Sequence, residues 1–288
     1  MSFKILLLGA SGLLGSQMDI ACKNEKYFVL CPNHQTLDLE NPKQLNQYFD
    51  EHPVDIVINC AAWSRVDDCE KPDLYPQSQC INGTAVGWLA DICMRKDILL
   101  IHFSTDYVFN GRKQGYYNET DSVDPVNAYG RTKLMGEQQL MQTHSKYYLI
   151  RTSWLFGCGG NNFVKTIVHL LKTRPQIQVV NDQWGSPTAT VDLAVWTMRF
   201  LKEKPPFGIY HFSNSGYTNW YEFAREIQNQ ICEFQAEIQP ISSALFKRPA
   251  ARPANSQFDL SKLQKVFHDS PRHWRAALSD YLSKEDFH

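Results

Sequence analysis

The first 150 residues alternate short, continuous apolar runs with longer stretches whose apolar positions recur every three or four residues. The runs are FKILLLG (3–9), YFVLC (27–31), DIVINCA (55–61), ILLIHFS (98–104) and YYLIRTS (147–153). Each has the length of a strand and is apolar on both alternating faces, as a strand covered on both sides must be. The helical patterns between them fall at 12–22, 42–51, 78–95 and around 126–137. Strands that alternate with helices pair in parallel, because a crossover of helix length is needed to return the chain to the same end of the sheet. The pattern therefore predicts an α/β protein built on a doubly wound parallel sheet.

Beyond residue 152 the rhythm loosens. Helical patterns at 161–172, 191–201 and 219–232 are separated by the strand-like IQVVN (177–181) and GIYHFS (208–213). A Pro- and Arg-rich stretch, KRPAARPANSQ (247–257), precedes the last helices. With no repeat or flexible linker, these segments are expected to pack on the first domain as a smaller C-terminal, substrate-binding lobe. The expected division is 1–152 plus about 177–201 for the sheet domain, and about 153–176 with 202–288 for the lobe. Ligands favour the cleft between such parts, at the carboxyl ends of the strands.

Composition narrows the partners. A net charge of −1 leaves no basic excess to hold nucleic acid or an anionic membrane surface. The N-terminal apolar run, Ile5 to Leu8, is too short for a signal peptide, and no window approaches the ~18 apolar residues of a membrane span. The eight cysteines (22, 31, 60, 69, 80, 93, 158, 232) form no CxxC pair, and several lie in apolar surroundings. A reduced, cytoplasmic protein without a bound metal is expected.

The first turn sets Gly9, Gly12 and Gly15 between a strand and a helix. Glycines there permit the tight turn, bring backbone N–H groups up to a pyrophosphate and allow close helix–sheet packing. The phosphates then lie at a helix N-terminus. The spacing is G-x-x-G-x-x-G, but its place at residue 9 of a βαβ unit points to a Rossmann-type dinucleotide site. An acid ending the second strand would favour NAD; the residues there are Pro32, Asn33 and His34, which leans toward NADPH, with NADH open.

Tyr129 and Lys133 stand one helical turn apart, on one face. The preceding long strand ends in Ser104, Thr105 and Asp106. Hydride addition to a ketone builds negative charge on its oxygen, so a proton donor must stand within hydrogen-bond reach. A phenol with its ordinary pKa of about 10 exchanges protons reluctantly near neutrality. A lysine cation beside it favours the phenolate and eases the transfer. Y-x-x-x-K alone also fits a plain amphipathic helix; the dinucleotide turn upstream favours the catalytic reading.

These features fall within nine blocks, in one order, that resemble the dTDP-4-dehydrorhamnose reductase family of extended short-chain dehydrogenases/reductases. The blocks are GASGLLG, NCAAWSRVDDCE, STDYVFNG, PVNAYGRTKLMGE, RTSWLFG, NNFVKTI, VVNDQWGSPTAT, GIYHFSNSGYTNWYEFA and RPANSQFDLSKL, over about residues 3–270. The resemblance implies an NAD(P)H-dependent reductase of a nucleotide-linked 4-keto-6-deoxy sugar, acting as a monomer or homodimer. It assigns the pyrophosphate to Gly9, Ser11, Gly12, Leu13 and Gly15, the adenine border to Asp38 and Leu39, and the nicotinamide-side ribose to Ala61, Ala62 and Trp63. Thr105, Tyr129 and Lys133 would be catalytic, with Tyr129 and Lys133 also touching the cofactor. Ser104, Thr105, Asp106, Tyr129 and Trp154 would meet the sugar nucleotide, and Arg252 has the bidentate fork to hold its diphosphate. Trp63 departs from the family, which has a small residue or His there. Two other readings stay open: an epimerase of the same fold, and a non-catalytic subunit like the β subunit of methionine adenosyltransferase. A dehydratase is disfavoured, because Tyr107 stands where an Asp-Glu acid pair would need its glutamate.

Overall fold

A computed structural model describes residues 3–231 and 235–285; the expected helix end at Cys232 lies outside them. The first half runs β1 (Lys4–Leu8), α1 (Leu13–Asn24), β2 (Phe28–Leu30), α2 (Pro42–Glu51), β3 (Ile56–Asn59), α3 (Tyr75–Gln79), α4 (Ala85–Arg95), β4 (Leu99–Thr105), α5 (Ala128–Thr143) and β5 (Tyr147–Thr152). The second half adds β6 (Leu155–Phe156), α6 (Phe163–Thr173), β7 (Gln176–Val180), β8 (Trp184–Gly185), β9 (Thr188–Ala189), α7 (Thr190–Glu203) and β10 (Gly208–Phe212). It ends with β11 (Thr218–Asn219), α8 (Trp220–Ile231), β12 (Glu237–Ile241), α9 (Ser261–Phe267) and α10 (Trp274–Leu282).

Six strands form one parallel sheet in the order β10-β5-β4-β3-β1-β2. Its two faces bury separate apolar layers. Ile5, Leu7, Ile58 and Ile150 pack with Met18 of α1 and Phe200 of α7, while Leu6, Val57 and Leu100 pack with Phe49 of α2 and Leu89 of α4. A third core, around Phe156, Ile167, Phe223 and Trp274, holds α6, α8 and α10 together.

Two strands fall elsewhere than the sequence pattern expects. Gly208–Phe212, expected in the lobe, is the sixth strand of the central sheet beside β5. Tyr210, His211 and Phe212 are all buried, so this strand has two covered faces and belongs inside a sheet. Residues 177–180, expected in the sheet domain, instead pair with β12 in a separate two-stranded sheet. There Ile177 and Val179 point inward while Gln176 and Gln178 are exposed, a one-faced alternation that a fully covered sheet cannot use. The expected helix at 78–95 is also interrupted. It begins at Tyr75 and passes through a π-helical turn, Cys80–Thr84, that turns Asn82 inward.

Candidate active site

The turn after β1 is shaped by close approach. Gly9 has φ +74°, and a Cβ on it would stand 2.6 Å from the Ala61 nitrogen; one on Gly15 would stand 2.0 Å from the Gly9 oxygen. Those two glycines fold the turn against β3 and α1. A Cβ on Gly12 would meet nothing nearer than 3.3 Å, so its bareness serves whatever approaches from outside. Helix α1 starts at that point with no side-chain cap, leaving its first N–H groups for an anion. This cradle fits a pyrophosphate. Ser11 is exposed in the same turn, and Leu13 lines the cleft beyond it. Asp38 is exposed and accepts from the Glu40 N–H (2.9 Å), while Leu39 packs on the α2 side of the core. Ala61 donates to Asn59 Oδ1 at 3.1 Å, and Ala62 lines the cleft. Asn82 clamps the Trp63 backbone from both sides, accepting from its N–H (2.8 Å) and donating to its carbonyl (3.0 Å).

Helix α5 is seated at several points. Asn127 caps it by accepting from the Gly130 N–H (2.7 Å), and Glu70 accepts from the Ala128 N–H (2.7 Å). Gly130 and Gly136 press it against the Tyr107 and Asn82 carbonyls, each 2.2 Å from where a Cβ would stand. The Tyr107 turn and the π-helical turn at Asn82 are thus what these glycines accommodate. The buried pair Arg151–Glu137 (2.7 Å) ties the helix to β5.

Tyr129 and Lys133 project from this helix toward the end of β4. Lys133 is buried and donates to the Phe103 carbonyl at 2.7 Å. Burial draws its pKa down to about 8, against Glu137 and Cys60, which act upward. Burial is also the largest influence on Tyr129 and pushes it upward; Asp106 and Tyr107 add to that, while a hydrogen bond with Thr105 opposes it. The expected depression of the phenol by the lysine cation is therefore corrected. The Lys133 amine is engaged with the strand carbonyl, and burial dominates the phenol. Thr105 donates to Asp106 Oδ1 at 3.0 Å, and Asp106 Oδ2 is buried with no hydrogen bond. Burial lifts Asp106 to about 6, with the Ser256 and Thr105 hydroxyls pulling the other way. Ser104 Oγ, also buried, has no partner.

These groups line one cleft of about 410 Å³, running from Gly12 and Leu13 past Ser104, Thr105, Tyr129 and Lys133 to Trp154. Val66, Tyr107 and Trp220 also border a larger cavity of about 770 Å³, walled by α6, β7 and the 243–252 segment. Trp154 holds the left-handed φ of +46° and stacks on Trp220 at 3.5 Å and 7°. A bulky residue in that conformation is rare and clusters at functional sites.

A family model described as RmlD substrate binding domain matches residues 3–287. The chain is 36% identical to the spore coat polysaccharide biosynthesis protein SpsK of Bacillus subtilis, covering 98% of this chain and 97% of that one. It is 35% identical to a dTDP-4-dehydrorhamnose reductase of Aggregatibacter actinomycetemcomitans, over 96% and 97%. A crystal structure of dTDP-4-dehydrorhamnose reductase from Bacillus anthracis, in complex with NADP, superposes with TM-score 0.94 at 34% identity, over 99% and 100%. The chain belongs to the dTDP-4-dehydrorhamnose reductase family.

Arg252, expected at the substrate diphosphate of such a reductase, lines the larger cavity but is engaged. Its guanidinium grips Asp67 (2.6 and 2.9 Å) and the Ala250 carbonyl. Trp63, the departure from the family, carries Arg65 over its ring at 4.3 Å. Among the described residues no group of three or more His, Cys, Asp or Glu gathers to hold a metal ion, and no helix is long and apolar enough to cross a membrane. Trp220, Asn82 and His102 were not singled out from the sequence, and Tyr107 entered only as an argument against a dehydratase. His102 had a readable signal, since it alone breaks the apolar run ILLIHF with a polar group. Trp220 directly follows Asn219, which caps α8 by accepting from the Glu222 N–H (2.8 Å) and so fixes where the indole points.

Proposed function

We propose that this protein is an NADPH-dependent reductase that converts dTDP-4-dehydro-L-rhamnose to dTDP-L-rhamnose. The observation that carries this reading is the convergence, in one cleft, of an uncapped, glycine-lined helix start with a strand-end threonine and a tyrosine–lysine helix. The relatives named for that activity, aligned over nearly their whole length, point the same way. Gly9, Ser11, Gly12, Leu13 and Gly15 would hold the pyrophosphate, and Ala61, Ala62, Trp63 and Lys133 the nicotinamide-side ribose. When bound, NADPH supplies the hydride for C4 of the sugar. Thr105 orients the C4 carbonyl oxygen, and Tyr129 gives it a proton as negative charge develops there. Its raised pKa keeps the phenol protonated until that charge appears. The stacked Trp154–Trp220 pair borders the cleft where the sugar ring would lie, and the larger cavity has room for the dTDP moiety. The same reading puts the protein in the cytoplasm as a monomer or homodimer, the latter distinguishable by sedimentation.

The test is NADPH oxidation, followed by absorbance, with dTDP-4-dehydro-L-rhamnose as acceptor and the sugar product identified by NMR. No turnover with the wild-type protein, or tightly bound NAD⁺ that survives purification and recycles, would overturn this reading in favour of a non-catalytic or epimerase role.

A further inference from the structure

The Lys133 amine ends a short chain of polar groups buried beneath the cleft. The Ala61 N–H donates to Asn59 Oδ1 (3.1 Å), which orients the Asn59 amide with its NH₂ toward His102. Asn59 Nδ2 lies 3.2 Å from His102 Nδ1. With a donor on that side, a neutral imidazole must carry its proton on Nε2. That N–H faces Lys133 Nζ at 3.3 Å. Asn59, His102 and Lys133 are 2%, 0% and 2% exposed. An ammonium here finds the Phe103 carbonyl for one of its N–H bonds, but a donor where a second acceptor would stand. A neutral amine instead accepts from His102 Nε2–H and donates to Phe103, satisfying every group in the chain.

We propose that Asn59 and His102 are positioning residues that set the proton affinity of Lys133: their fixed donor direction, Asn59 to His102 to Lys133, makes this lysine a weak base in the cofactor-free enzyme. The other groups facing it are Glu137 on its own helix, Cys60 at the end of β3 and Tyr129 one turn back. Glu137 and Cys60 favour the cation, although Glu137 is largely committed to Arg151. Burial opposes them and brings Lys133 to about 8; a His102 N–H facing Nζ at 3.3 Å would disfavour the cation as well. His102 stays neutral, because burial and Lys133 both disfavour its charged form. A ligand that brings hydroxyl acceptors to Nζ then raises the basicity of Lys133 and binds with proton uptake. This last consequence rests on the cofactor role given to Lys133 under the proposed function.

Three measurements test it. Nitrogen-15 spectra of the histidine-labelled, cofactor-free protein, with His102 assigned by its loss in His102→Gln, should show the Nε2–H tautomer; an Nδ1–H tautomer overturns the proposal. The Lys133 ¹³Cε titration should have its midpoint well below the ordinary 10.5. It should move upward in His102→Gln, where an amide oxygen can accept from Nζ, by about tenfold in proton affinity, as one charge-assisted hydrogen bond implies. An unmoved midpoint in a variant that melts like the wild type also overturns it. If His102→Gln does not fold, Asn59→Asp gives the same readout, since a carboxylate pulls the imidazole proton to Nδ1. Finally, calorimetry of NADPH binding in two buffers of different ionisation enthalpy, just above the Lys133 midpoint, should show net proton uptake that shrinks in the variant. Absence of NADPH binding would count against the proposed function and leave the tautomer and titration results standing.

Discussion

At one end of the cleft the wall is backbone; at the other it is side chain. The turn after β1 meets its neighbours through bare glycines and an uncapped helix start: Gly9 lies against Ala61, and the first turn of α1 lies against the bare Gly159 and Gly160. The opposite end is assembled from Trp154 stacked on Trp220 and Arg252 gripping Asp67. Those partners lie 66 and 185 residues apart and meet only because the lobe folds back over the sheet. Tyr129 sits between them, on a helix whose capping residue Asn127 donates to the Ala251 carbonyl of the lobe at 2.6 Å. The contrast teaches that the two ends should fail differently.

The largest effect is expected between the two ends. Tyr129→Phe should lower kcat by about a thousandfold, in the range for loss of a positioned general acid, while NADPH and sugar-nucleotide binding stay within a few-fold. Stopped-flow single turnover would separate the two. Retained turnover would remove Tyr129 from its role. Next comes the backbone end. Gly9→Ala puts a side chain on a residue at φ +74° and 2.6 Å from the Ala61 nitrogen. The turn must open, at a cost of about 3 kcal/mol, so NADPH affinity should fall about a hundredfold by fluorescence titration. The sugar nucleotide should still bind. If both ligands weaken alike, the turn is a general structural element and the contrast between the ends breaks.

The same contrast explains what the sequence made readable. Continuous apolar strands, the glycine spacing and the Tyr129–Lys133 interval are local patterns, and the sheet, the turn and the helix carrying Tyr129 and Lys133 followed from them. The strand at 208–212 was readable in type but not in place, because nothing local says that β10 joins β5 rather than the lobe. Residues 177–180 carried their answer in the alternation of Ile177 and Val179 with glutamines, which marks a one-faced strand. Trp220 and the engagement of Arg252 by Asp67 were hidden, since each depends on a partner brought from a distant segment. For Lys133 the helix face was readable, but its inner partner was not. Spacing shows that two side chains share a face, not that the longer one runs inward to the Phe103 carbonyl.

The side-chain end should yield more gently. Trp220→Ala removes one half of the stacked shelf and the ring shared by the cleft and the larger cavity. The KM for the sugar nucleotide should rise about tenfold, the worth of one aromatic contact, with NADPH affinity unchanged. An equal loss of NADPH affinity would mean the shelf supports the cofactor end as well.

Asp106 gives the most diagnostic effect. Its pKa is raised to about 6 by burial, from about 4 in an unfolded chain. The native state therefore binds this proton more tightly than the unfolded state does. Stability falls as pH rises between those two values, and the full cost persists above about 6. Asp106→Asn carries no such cost, so it should be more stable than the wild type at pH 8 by about 1–3 kcal/mol, and no more stable at pH 4. Thermal melts at the two pH values decide this. The kinetic sign also follows. The Asp106 anion raises the pKa of Tyr129, which keeps the phenol in its donor form. Removing it should move the alkaline limb of the kcat profile to lower pH. A stabilised variant with an unmoved limb would show that Asp106 is a buried carboxylate kept for substrate contact alone; a limb that moves as expected ties its charge to the proton donor across Thr105.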